Sequence, residues 1–123
     1  MKSKESISYN TDPITMSTAV IAATAMGFSI EEIARRAIRE FANSLQSERR
    51  NCKEGRTKAT TLYIYDEHTK HILQEAVTRT GLTKSTVVHK CLKKYLEYYK
   101  LQIKQDLELL KERLNQAAEA LAA

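Results

Sequence analysis

Apolar residues recur at helical spacing through the second quarter of the chain. Ile30, Ile33, Ala34, Ala37, Ile38, Phe41, Ala42 and Leu45 follow the i, i+3, i+4, i+7 pattern, which predicts an amphipathic helix. Arg35, Arg36 and Arg39 fall off that apolar face. The helix opens with Ser29-Ile30-Glu31-Glu32, a Ser-x-x-Glu capping box. Gly27, just before it, stops an upstream helix predicted over residues 13–26, with Ala19, Ala22, Ala23 and Met26 on one face. Asp12-Pro13 supplies that helix with an N-cap and a first-turn proline. Further upstream, Ile7-Ser8-Tyr9-Asn10-Thr11 alternates in the manner of a short strand.

The same succession returns 54 residues later. Residues 6–45 align with residues 60–99 without a gap, with identities at Tyr9/Tyr63, Asp12/Asp66, Thr15/Thr69, Ala22/Ala76, Thr24/Thr78 and Gly27/Gly81. The apolar positions after the glycine repeat as Val87, Val88, Cys91, Leu92, Tyr95, Leu96 and Tyr99; only Lys84, opposite Ile30, breaks the match. Residues 60–65, TTLYIY, have the strongest strand propensity in the chain. Asp66 caps a helix to about Thr80 with Leu73, Ala76 and Val77 inward; Gly81 ends it and Thr83 caps the next. A unit of about 40 residues cannot bury a stable core alone, so the two copies are expected to share one. The chain thus divides into a first unit (1–45), a polar, basic linker (46–58), a second unit (59–99) and a helical extension (100–123).

From Lys84 to Ala123 there is neither glycine nor proline. One continuous helix is predicted, about 60 Å long at 1.5 Å per residue. Tyr99, Ile103, Leu107, Leu110, Leu114, Ala117 and Leu121 run along it at mainly 4-3 spacing, close to a heptad seam and able to form a coiled coil. Such a helix requires a partner. Self-association through Ile103, Leu107, Leu110, Leu114 and Leu121 is the expectation; the alternative is that the helix folds back across its own domain.

Charge adds a direction. Twenty Lys and Arg against fifteen Asp and Glu give a net charge of +5 over 123 residues, and the pI is about 9.2. That balance suits a phosphate-bearing partner. Cys52 and Cys91 form no disulfide framework, as in a cytosolic chain, and Cys91 on the apolar face reads as a small buried hydrophobe. The opening MKSKESISYN does not resemble a signal peptide, and no run approaches 18 uncharged apolar residues, so a cytoplasmic location without membrane contact is expected. His68 and His71 have no third metal ligand at recognisable spacing. No Gly-rich phosphate loop, nucleophile elbow or carboxylate pair is present, so binding without a cofactor, rather than catalysis, is expected. Tyr95, Tyr98 and Tyr99 sit at helical spacing, which favours core or seam over stacking on bases.

The order strand, helix, glycine turn, helix, carried by Gly-Leu-Thr-Lys-Ser-Thr-Val-Val at 81–88, its apolar helix and the strand before it, resembles the ribbon-helix-helix DNA-binding family of the Arc and MetJ type. Two such units in one chain resemble the TraY-type accessory proteins of conjugative plasmids, which help assemble a relaxase at an origin of transfer; most single-unit relatives are transcriptional repressors. The resemblance implies a mainly α fold with a short antiparallel two-stranded ribbon that enters the major groove of double-stranded DNA. Counting back from Gly27 and Gly81 in the family spacing turns Ile7, Tyr9, Thr11, Thr61, Tyr63 and Tyr65 inward. Ser6, Ser8, Asn10, Thr60, Leu62 and Ile64 then face the bases. A shift of one in the second strand would present Thr61, Tyr63 and Tyr65 instead. Phosphates would be met by the second-helix N-termini, at Ser29 and Ile30 and at Thr83, Lys84 and Ser85. The linker cations Arg49, Arg50, Lys53, Arg56 and Lys58 would add counterion release. The rival reading is an antitoxin-like or scaffold protein whose C-terminal helix binds a protein, with a relaxase or a toxin as the partner.

Overall fold

The structure is a computed structural model that describes residues 4–46 and 58–122. In chain order it contains β1 (Glu5–Thr11), α1 (Pro13–Met26) and α2 (Ile30–Phe41), which ends in a 3-10 turn at Ala42–Ser44. Then come β2 (Lys58–Ile64), α3 (Glu67–Thr80), α4 (Lys84–Tyr98) and α5 (Lys100–Ala122). The molecule is mainly helical, with a single two-stranded antiparallel sheet among the described residues.

The sequence repeat reappears as repeated local chemistry. The Asp12 carboxylate accepts from the Thr15 amide at 2.9 Å and the Thr15 hydroxyl at 2.5 Å. Asp66 does the same with Thr69, at 2.8 and 2.6 Å. Each helix started in this way ends at a glycine with φ of 75°, Gly27 or Gly81, a left-handed backbone that costs a residue with a Cβ about 1–2 kcal/mol. The next helix is capped by a hydroxyl: Ser29 accepts from the Glu32 amide at 3.0 Å and Thr83 from the Thr86 amide at 3.2 Å. The Glu32 carboxylate, which a complete capping box would turn back to Ser29, instead pairs with Arg35, Arg36 and Arg39.

β1 and β2 pair with each other, Ser8 lying opposite Thr61 and Ile7 opposite Leu62. Opposed residues of an antiparallel pair share a face. Ile7, Tyr9 and Thr11 point into the core as expected, and Leu62 and Ile64 join them, both fully buried. This corrects the family spacing for the second strand, which placed Leu62 and Ile64 outward. Burying each of these side chains contributes roughly 1.5–3 kcal/mol, so the apolar alternation of β2 decides its register. Beneath the ribbon, α2 packs on α4 and α4 on β1. Ile33, Ala34, Ala37 and Ile38 meet Val87, Val88, Cys91 and Leu92 in one cluster, so the copies share a core.

The C-terminal helix departs from expectation. The helix breaks at Tyr99 (φ −93°, ψ 13°), and α5 turns onto α1. Ile103 is thereby buried in its own chain and is not a contact between chains; Leu107 and Leu110 are half-buried. The cause lies in α1, which contains no charged residue. Thr15, Ala19, Ala22 and Ala23 face the core, and α5 covers a further flank of this uncharged helix. A straight 84–123 helix would leave that flank and Ile103 in water. Beyond Leu110, every described residue of α5 is exposed.

Acid titration tests the paired caps. Burial pushes the Asp12 and Asp66 carboxyls up, but the Thr15 and Thr69 hydroxyl and amide bonds outweigh it and hold both below the usual carboxylate range. A folded-state value below the unfolded one gives stability that is present at neutral pH and lost as pH falls below about 4. The double variant Asp12→Ser, Asp66→Ser keeps caps that do not titrate. Its melting temperature is expected to fall less than that of the parent between about pH 5 and pH 3, as followed by circular dichroism.

Candidate nucleic-acid interface

With its inner face sealed, the ribbon turns one polar face to solvent. Ser6, Ser8 and Asn10 of β1 stand opposite Tyr63, Thr61 and Ala59 of β2. Ser6, Ser8 and Thr61 are exposed, while Asn10 and Tyr63 are half-exposed. Lys4 extends this face, its ammonium 4.5 Å from the centre of the Tyr63 ring. Tyr65, 52% exposed, stands just past the end of β2. Hydroxyls both donate and accept, and an Asn amide can bond an adenine edge through two atoms. A row of such groups on a two-stranded ribbon has the width and chemistry to read a major groove.

Of the expected base-reading residues, Ser6, Ser8 and Asn10 therefore lie on this face. Leu62 and Ile64 do not, and Thr60 lies opposite Tyr9 and hydrogen-bonds its phenol. Family spacing missed Lys4, Ala59, Thr61 and Tyr63 as surface groups. The signal for Thr61 and Tyr63 was present in the alternation with Leu62 and Ile64, which a half-buried strand keeps on its inner side.

The second helix of each copy holds the strand of the other. Arg35 Nη1 in α2 donates to the Tyr63 carbonyl of β2 at 2.9 Å. His89 in α4, the position equivalent to Arg35 in the repeat, places Nδ1 2.7 Å from Thr11 Oγ1 of β1. Ser85, also in α4, accepts through its hydroxyl from the Asn10 backbone N–H at 3.0 Å. These ties aim the outward side chains by fixing the strands on which they stand.

The two helix N-termini expected at phosphates differ. At the start of α4, Thr83 is exposed, Lys84 is ion-paired with Glu5, and the Ser85 hydroxyl is held by Asn10. At the start of α2, Ser29 is exposed and the Ile30 side chain packs on the core, leaving backbone amides as its donors. Glu31 and Glu32 stand there with Arg35, Arg36 and Arg39. Burial raises the Glu32 carboxyl, yet its bonds to Arg35 and Arg39 prevail and hold it below the usual range. Arg49, Arg50, Lys53, Arg56, the Lys58 side chain and Cys52 lie outside the described residues. Cys91 is fully buried, which pushes its thiol up to about 12. Among the described residues no group of three His, Cys, Asp or Glu side chains is placed to hold a metal ion, and no single helix is long and apolar enough to cross a membrane.

Paired substitutions test the register. Leu62→Ala is expected to destabilise by about 2–5 kcal/mol, whereas Thr61→Ala is expected to change stability by no more than about 0.5 kcal/mol, as measured by urea unfolding. Equal effects would contradict the assigned faces. In comparisons with protein-family models, curated proteins and solved structures, nothing matches this chain.

Proposed function

We propose that this chain is a double-stranded DNA-binding protein whose two ribbon-helix-helix units pair within one molecule and present β1 and β2 to the major groove. The observation that carries the reading is the division of the ribbon into a buried face and a face of Ser6, Ser8, Asn10, Thr61 and Tyr63. Short hydroxyl and amide side chains on that outer face carry the donors and acceptors that base edges pair with. Mild positive charge and the exposed start of α4 supply the positioning term. The role is binding, as a repressor or as a relaxosome accessory factor in plasmid transfer, and is expected in the cytoplasm. Because β1 and β2 carry different outward residues, the preferred site is not a palindrome; a two-fold operator mirrors two identical strands.

A second reading draws on the free end of α5. Leu114 is 60% exposed and Leu121 is 88% exposed, and with the half-buried Leu107 they keep a seven-residue spacing. That stripe suits self-association, or a protein partner such as a relaxase or toxin, and under it DNA binding is secondary. Truncation after Arg113 leaves Ile103 and Leu110 in place and removes only the exposed turns. The truncated chain is expected to stay folded and to sediment with fewer chains per particle than the parent. An unchanged number of chains per particle would remove the stripe from assembly.

Selection from a random duplex library, followed by anisotropy titration at several salt concentrations, tests the first reading. Affinity is expected to fall steeply with salt. Lys84→Glu, which sets a second acid beside Glu5 at the start of α4, is expected to weaken all duplexes alike by about tenfold. Asn10→Ala or Thr61→Ala is expected to change which sequence is preferred. The absence of any duplex binding at low salt would overturn the proposal.

A further inference from the structure

The C-terminal ends of α2 and α4 border an open surface cleft of about 300 Å³ lined by Glu40, Phe41, Tyr98 and Tyr99. We propose that this cleft binds an organic cation, an alkylated ammonium head group, independently of the ribbon.

The walls of the cleft are aromatic and steeply inclined to one another. Tyr98 meets Phe41 at 5.5 Å between ring centres with 61° between the planes, and Tyr99 at 4.9 Å with 73°. Rings set at such angles turn faces and edges toward a common space, and the negative faces attract a soft, weakly hydrated cation. The kink at Tyr99 makes this possible. Successive residues of an unbroken helix diverge by about 100°, whereas here Tyr98 and Tyr99 border the same cleft. Tyr98 remains 71% exposed, a large ring at the surface whose contacts are Phe41 and Tyr99.

The fourth wall carries the charge. Both Glu40 carboxylate oxygens accept from the Tyr99 hydroxyl, at 3.0 and 2.8 Å. This bond fixes the carboxylate at the cleft, and it is the main reason that the Tyr99 phenol is pushed up to about 12. Glu31 and Glu32 in the same helix are matched to arginines; Glu40 has no cation paired with it among the described residues. Arg36, one turn before it, is engaged with Glu32 and stacked 4.0 Å over the Phe28 ring. The cleft therefore presents three aromatic rings and one uncompensated, oriented carboxylate. An anion is repelled there, and a small hydrated metal ion finds one carboxylate where it needs several oxygens. A methylated ammonium, large and poorly hydrated, fits both the rings and the charge. Glu40 lies about 15 Å along α2 from its N-terminus at 1.5 Å per residue, so occupancy does not compete with a phosphate at Ser29.

The chain has no tryptophan, so ring resonances in NMR spectra of the full chain give a clean readout. Titration with tetramethylammonium chloride is expected to give saturable shifts confined to Phe41, Tyr98, Tyr99 and their neighbours. Sodium chloride at equal ionic strength is expected to give none. Tyr98→Ala and Glu40→Gln alter exposed side chains and are each expected to weaken binding about tenfold, with amide shifts of the ribbon unchanged. A peptide bearing one trimethylated lysine distinguishes the source. Tighter binding than the free ion supports a protein side chain, and equal binding supports a small molecule. The proposal is overturned if no saturable shift occurs, if sodium reproduces it, or if both variants retain it.

Discussion

The structure depends on the antiparallel pairing of β1 with β2, two strands contributed by different copies of the repeat. A two-stranded ribbon alone is marginal in water, and these strands are far apart in the chain, so closing the intervening loop adds an entropic cost. The shared core offsets both. Ile7, Tyr9 and Thr11 from one copy and Leu62 and Ile64 from the other bury together over α2 and α4. The polar ties are also exchanged between copies, Arg35 to the Tyr63 carbonyl and His89 to Thr11. Neither copy retains its core or its strand partner without the other. The outward polar face follows from this arrangement, because a strand whose alternate residues are buried must present the rest.

The copies are alike in backbone and different in charge. Asp caps, left-handed glycines and hydroxyl caps recur at equivalent positions. At the second-helix N-termini, however, the first copy carries Glu31 and Glu32 bound to three arginines, and the second carries Lys84 bound to Glu5. A helix N-terminus favours an incoming anion only as far as its own side chains do not already satisfy it. The two ends therefore differ in what they would offer an anion.

Much of the fold was legible in the sequence because it rests on local signals. Asp12-Pro13, Gly27 and Ser29 mark both ends of α1 and the start of α2, whose end at Phe41 falls short of the Leu45 that the apolar spacing suggests, and the 54-residue repeat carries the assignment forward to Asp66, Gly81 and Thr83. Two features differ from the leading expectation. Family spacing puts Leu62 and Ile64 outward, whereas the strand takes the alternative shifted by one that presents Thr61 and Tyr63, because burial of the apolar pair outweighs spacing. The 84–123 segment has no residue that breaks a helix, so local propensity predicted one rod. The bend at Tyr99 is tertiary in origin: Ile103 enters the core and α5 packs on the uncharged α1. Of the candidate interface, Ser6, Ser8 and Asn10 follow from the family spacing of the first strand; the pairing of Lys84 with Glu5 and of Ser85 with Asn10 required the folded chain.

The most direct test of the central claim is an isotope-filtered NOE experiment on a mixture of labelled and unlabelled full-length chains. The account predicts cross-strand NOEs between residues 5–11 and 58–64 in the register that sets Ser8 opposite Thr61, all arising within single chains. Cross-strand NOEs found only between labelled and unlabelled chains, or a register that sets Ser8 opposite Thr60, would contradict it.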